Sequence, residues 1–266
     1  MRYEIRHLAG LRSTWILLTA IGVLSLVAGL TAPLGAQAGK APSVWTMVTA
    51  FQMDAVSLQL PLSALLLLPV ATGPVATELL RGTARTTWLT VAGRRMSFAA
   101  KLLVGGALGA LIALGGAALV TVAAATALAV TGRAQPDWAA TLPGLLGYVA
   151  FMTCWPIVAT AVIALIRNRA ASVLLLVLWP LLGERLAQLL FGLVPGLRGF
   201  GDALPFAAGR AAMAAGSDTL PEADRALVEG FVGSDLTAAS GVSVFIAFTV
   251  AMAALGAWSY IKRDAR

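Results

Sequence analysis

The chain reads as an all-α integral membrane protein with six transmembrane helices and both termini in the cytoplasm. Three observations lead there. Of the 266 residues, 12% are charged and 59% hydrophobic, with a mean hydropathy of +0.87. A soluble domain carries about 25% charged residues; half that proportion cannot cover a water-facing surface, so lipid must supply part of the solvent. Apolar runs free of charge recur near the roughly 20 residues that a helix needs to cross a hydrocarbon core of about 30 Å. Finally, the Lys and Arg residues are unevenly shared between alternate connections.

Residues 1–14, MRYEIRHLAGLRST, set Ile5, Leu8, Leu11 and the following Trp15 three or four apart, with Arg2, Arg6 and Arg12 around them. That spacing predicts an amphipathic helix at the membrane surface. Residues 15–32 form the first span. Flanked by arginines and followed by GAQA at 35–38, this run resembles a secretory leader. It is longer than the usual apolar region of about 7–15 residues, and further spans follow, so it is expected to be retained. The second span lies within 55–77, the third within 102–132, the fourth within 138–166 and the sixth within 236–261. The fifth starts at Ala170, meets Glu184 and Arg185, and continues apolar to Leu197.

Six spans put both termini on one side. Placing the termini, the 78–101 loop and Arg167–Arg169 inside collects 13 of the 19 Lys and Arg residues there, for a net +10 inside and −3 outside. Short cytoplasmic loops collect Lys and Arg in this way. The net charge of +7 therefore belongs to membrane topology, and no nucleic-acid partner is expected. Outside, residues 195–235 carry the six acids of that segment and are broken by Gly196, Gly199, Gly201 and Pro205. They suit short helices dipping into the outer leaflet, or an outer cap. The whole of 1–266 is expected to be a single transmembrane domain.

The densest charge lies between spans two and three. In 78–98, Leu80, Ala84, Trp88 and Val91 share one helical face and Arg81 and Arg85 another; Gly82-Thr83 offers a break and a hydroxyl N-cap, and Arg94-Arg95 lead into the third span. Two readings stay open. One is a basic loop lying on anionic headgroups; the other is a rigid helix offered to a cytoplasmic partner.

The order of motifs resembles the membrane (permease) subunits of ABC-2 type, or type-2 ATP-binding-cassette, transporters. It comprises Glu78 closing span two, Gly82-Thr83, Thr86-Thr87-Trp88-Leu89, the Arg94-Arg95 pair and Ala99-Ala100-Lys101. LAGLRSTWILL (8–18) is similar to that family's lead into span one, and LPFAAGRAA (204–212) to its outer segment before span six. Many relatives carry a proline where this chain has Ala92.

The resemblance implies that residues 1–14 are the interfacial connecting helix and 78–98 the coupling-helix loop. Glu78, Arg81, Gly82, Thr83, Arg85, Trp88, Arg94 and Arg95 would then dock a separate ABC ATPase. It also implies a second copy, or a homologous permease, beside this one in a bacterial cytoplasmic (inner) membrane. The assembly would export a hydrophobic or amphipathic cargo (drug, antibiotic, peptide or lipid) by alternating access.

The residues themselves bound where energy could come from. A phosphate cradle needs G-x-x-x-x-G-K-[ST]. Here Gly39-Lys40 is followed by Ala41, and Leu34 stands where the first glycine should be. No cofactor is expected on this chain; ATP and Mg would belong to the partner. Ion coupling usually needs ionisable groups within spans, and only Glu184 and Arg185 qualify. Adjacent residues do not face each other on a helix, so each needs another partner. Either the fifth helix ends or bends near Gly183 and both charges reach the outer headgroups, or they form a polar station on an exit route or a contact to the outer segment. Pro61, Pro69 and Pro74 in or beside span two, with Pro156 and Pro180, favour kinks. Gly105 and Gly109 form a G-x-x-x-G step for close packing, within the bundle or between copies. Cys154 is expected to be a small buried side chain and His7 no ligand.

No cluster of His, Asp, Glu or Ser–His–acid groups sits in the spans for acid–base or metal chemistry, so an enzyme is not expected. The remaining alternative is a non-transporting sensor or scaffold that docks its partner on the same basic loop.

Overall fold

The computed structural model describes residues 2–35, 41–53, 59–80 and 93–262, and every regular element among them is helical. In order these are α1 (Arg2–Gly10), α2 (Arg12–Thr31), α3 (Val44–Gln52), α4 (Leu62–Leu80), α5 (Arg94–Val130), α6 (Leu142–Ile166), α7 (Arg169–Leu178), a π-helical turn (Trp179–Gly183), α8 (Glu184–Leu193), α9 (Arg198–Asp202), α10 (Pro205–Met213), α11 (Glu222–Val232) and α12 (Ala238–Lys262). Five segments are long and apolar enough to cross a membrane: Arg12–Leu34, Arg94–Val130, Ala139–Ile166, Arg169–Leu193 and Ala238–Lys262. The chain is thus an all-α, multi-pass membrane protein. At the place of the expected second span, α4 is apolar but shorter, Leu62–Glu78 by the same measure. Pro61 stands just before its first turn, where a missing N–H is not needed.

α6 is the central post. It is apolar all round, and nearly every residue from Tyr148 to Ala164 is withdrawn from the surface. A helix without a polar face belongs inside a bundle. It packs against α4, α5, α10 and α12. Polar tips within this core are matched: the Trp155 indole donates to the Ala64 carbonyl at 2.8 Å, and the Tyr148 and Ser63 hydroxyls lie 2.7 Å apart. Phe151 stacks on Phe245 at 4.8 Å, and Trp155 meets Phe206 edge-on at 5.8 Å.

α5 runs 37 residues, roughly 55 Å of helix. It starts at Arg94, well before the expected third span, because no breaker follows Gly93. Gly93 itself has φ +107°, a backbone state that excludes most side chains and fixes the start. The G-x-x-x-G step resolves in favour of packing within the bundle. A Cβ on Gly109 would lie 1.9 Å from the Met152 carbonyl oxygen of α6, and one on Gly105 3.4 Å from Pro156.

Two further expectations need revision. The surface helix of residues 1–14 is two pieces, because Leu11 is extended (φ −84°, ψ 119°) and separates α1 from α2; the Trp15 indole bridges the break to the Ala9 carbonyl at 2.8 Å. Of the expected apolar stripe, Leu8 packs on the core, while Ile5 and Trp15 stand on the outside of the bundle, as a helix lying at a membrane surface requires. The fifth span does not end at Gly183. It passes through the π turn around Pro180, which has no N–H to give, and continues as α8.

Substituting Gly109 with alanine should force α5 off α6 and cost at least the roughly 1–3 kcal/mol of an overpacked core. Gly115→Ala, with nothing within 4 Å of its added Cβ, should be tolerated. Thermal denaturation of the two variants in one detergent checks this: both behaving alike would contradict the packing.

Candidate functional site

At the end of the bundle where α4 stops and α5 starts, one lysine joins three helices. Lys101 lies two turns into α5 and is buried. Its ammonium donates to Glu4 Oε1 of α1 at 2.6 Å and to Glu78 Oε1 of α4 at 2.8 Å. Each of these ions costs several kcal/mol to take out of water, a cost offset only by close, hydrogen-bonded pairing. Glu4 also falls in the first turn of α1, where a carboxylate suits the helix dipole. The arrangement fixes α1 against the two helices that flank residues 81–92.

The same end is tied together further. Arg94 donates to the Ile261 carbonyl at 2.9 Å, joining α5 to the end of α12. Ser259 donates to the Ala164 carbonyl of α6 at 2.9 Å, and the Phe98 and Tyr260 rings lie 5.0 Å apart. Arg95 is exposed. Glu78, Arg94 and Arg95 are therefore brought to one end of the bundle. Arg81, Gly82, Thr83, Arg85 and Trp88 lie outside the described residues.

Glu184 and Arg185 are far along the chain from that cluster and belong to another. The expectation that both charges reach headgroups fails for Glu184, which is fully buried. Its two carboxylate oxygens accept the Phe206 and Ala207 backbone N–H groups at 2.8 Å each, capping α10 at its N-terminus. Arg210, one turn on in α10, has Nη2 at 3.7 Å from the same carboxylate. Arg210 also donates to the Val232 carbonyl at 3.0 Å and the Pro180 carbonyl at 3.4 Å. Burial pushes the Arg210 guanidinium down to about 10, against the pull of Glu184, so it remains a cation at neutral pH. Arg185 donates to the Gly230 carbonyl at 3.1 Å, and the Gln188 amide donates to the Gly233 carbonyl.

The fifth span thus holds the start of α10 and the end of α11. Of the alternatives left open by the sequence, contact to the 195–235 segment is the one seen. α10 is buried from Phe206 to Met213, between α6 and α12.

Sequence reasoning missed Glu4, Arg210 and Gln188, and took Lys101 as a charge and as the motif residue opening the third span, without its partners. The signals were present. Glu4 is the lone acid of a basic N-terminus, Lys101 directly precedes a charge-free run, and Arg210 interrupts an alanine-rich one. Among the described residues no group of His, Cys, Asp and Glu could hold a metal ion, and Cys154 is buried and free. No protein-family model, no curated protein and no solved structure matches the chain.

Lys101→Met leaves two buried carboxylates without their ammonium. It should destabilise the protein by about 3–5 kcal/mol, the usual cost of removing one partner from a buried ion pair. Arg95→Met, at an exposed neighbour, should cost almost nothing. Glu184→Leu should fall in the same range as Lys101→Met, because it strands both Arg210 and the first N–H groups of α10. Thermal unfolding in detergent, with tryptophan fluorescence as the signal, measures all three.

Proposed function

We propose that this chain is the permease subunit of an ATP-driven transporter of the ABC-2 type, with six spans and both termini in the cytoplasm of a bacterium. In this reading α4 serves as the second span, and the basic segment 78–98 is a cytoplasmic coupling helix. It seats a separate ATPase that carries the ATP and Mg. Two permease copies and two ATPases form the working unit, which exports a hydrophobic or amphipathic molecule.

The observation that carries the reading is the Lys101 cluster. A segment that receives force must be attached stiffly to what it moves. Residues 81–92 are flanked by Glu78 and by α5, and both flanks are bound to one ammonium together with α1. A push on that segment moves three helices rather than one loop. The charge asymmetry supports the orientation, since Arg94, Arg95, Arg167, Arg169 and Lys262 gather at the same end of the bundle. The apolar character of the spans supports a cargo without high charge. The missing phosphate cradle supports a separate energy source.

Copurification with an ATPase encoded in the neighbouring reading frame tests this. The intact pair should copurify and hydrolyse ATP faster in the presence of cargo. Arg85→Glu combined with Trp88→Ala should abolish capture, with Trp88 as the candidate anchor of the interface. Lys101→Gln, rescued in stability by lipid, should keep capture and lose the cargo-stimulated part of hydrolysis. Capture with no effect of any cargo would favour a sensor or scaffold instead. Capture that survives the double substitution would refute the docking role.

A further inference from the structure

A groove opens on the surface of the bundle between α4 and α7. It encloses about 560 Å³ and is walled by Leu65, Leu68 and Pro69 on α4 and by Val173 and Val177 on α7, with Arg169 at one end. Thr72 also borders it, but its hydroxyl donates back to the Leu68 carbonyl at 2.6 Å, so the wall offers no free donor there. No carboxylate lines it. Arg169 is exposed and, among the described residues, makes no hydrogen bond or ion pair.

The position of Arg169 decides what fits. It is the first residue of the membrane-crossing segment Arg169–Leu193. Those 25 residues span roughly 37 Å, slightly more than a hydrocarbon core of about 30 Å. An arginine at the first position therefore stands at headgroup level, and the trough beside Val173 and Val177 runs down into the acyl layer. Guanidinium groups take phosphate through paired N–H donors. Basic pockets between helices near the membrane surface recognise anionic headgroups.

We propose that this groove holds an anionic phospholipid of the surrounding bilayer, with its phosphate on Arg169 and one acyl chain lying between α4 and α7. The absence of a lining carboxylate gives the preference for net negative charge. A zwitterionic headgroup brings its own cation, for which the groove has no partner. The lipid occupies the space between the helix that carries Glu78 and the helix that leads into the π turn.

The test uses the full chain alone, so it stands or falls apart from the ATPase. The protein is placed in nanodiscs of equal phosphatidylglycerol and phosphatidylethanolamine, transferred to mild detergent, and weighed by native mass spectrometry. The wild-type chain should retain phosphatidylglycerol in clear excess over phosphatidylethanolamine. Arg169→Gln should lower that retention about tenfold, the effect of one charge-assisted contact. Val173→Trp, which fills the trough and leaves the charge, should lower it as well, while Arg95→Gln should not. Equal retention of the two lipids, full retention by Arg169→Gln, or a lipid-free dimer closed over the groove would each overturn the proposal.

Discussion

A single buried ammonium, shared by carboxylates from two other helices, is the constraint around which the rest of the molecule is arranged. Nothing else among the described residues joins α1, α4 and α5 by charge. Apolar helices in lipid gain little by preferring one neighbour over another, because lipid tails are as apolar as Leu. Charge breaks that indifference. Once Lys101 is committed to Glu4 and Glu78, the N-terminal helix has one seat, and the end of α4 cannot drift from the start of α5. Loss of the ammonium strands two carboxylates where water cannot reach them, and loss of either carboxylate releases one of the three helices from the joint.

The far part of the fifth span uses the same physics for another purpose. Glu184 caps a short helix whose first N–H groups would otherwise be orphaned, and Arg210 and Arg185 donate to the Val232 and Gly230 carbonyls at the end of α11. The π turn lets the helix pass Pro180 without stopping, so that these side chains meet the segment that follows it. Between the two polar clusters the bundle is held by shape. α5 and α6 approach at backbone distance across Gly109, and the ring cluster around Phe151, Trp155 and Phe245 fills the centre. The result is a molecule with two polar knots and an apolar, closely packed middle.

The long apolar helices were legible because a bilayer demands a length and a composition, and the runs around α2, α5, α6 and α12 satisfy both. The glycine step on α5 was legible as packing but not as to its partner, since a small residue announces close approach without saying to what. The π turn was foreshadowed only as a bend, because Pro180 removes a donor without dictating how the helix recovers. The charge clusters were not read. Glu4, Glu78 and Lys101 are separated by 74 and 23 residues, and Glu184 and Arg210 by 26; such pairing is a property of the packed bundle and not of any local period. Glu4 in particular was passed over, because only the apolar stripe and the arginines of residues 1–14 were read.

In the transporter proposed above, α1, α4 and α5 move as one body under the segment that they flank. The most direct measurement is a pair of spin-label distances in the reconstituted assembly, with Cys154 replaced by serine and labels placed on exposed Ile5 and Met96. During ATP turnover the distance between these two sites should keep its resting distribution, while the distance from Met96 to exposed Phe200 in the outer segment changes. If α1 and α5 part from each other as nucleotide is consumed, the shared ammonium is not the joint through which the molecule works.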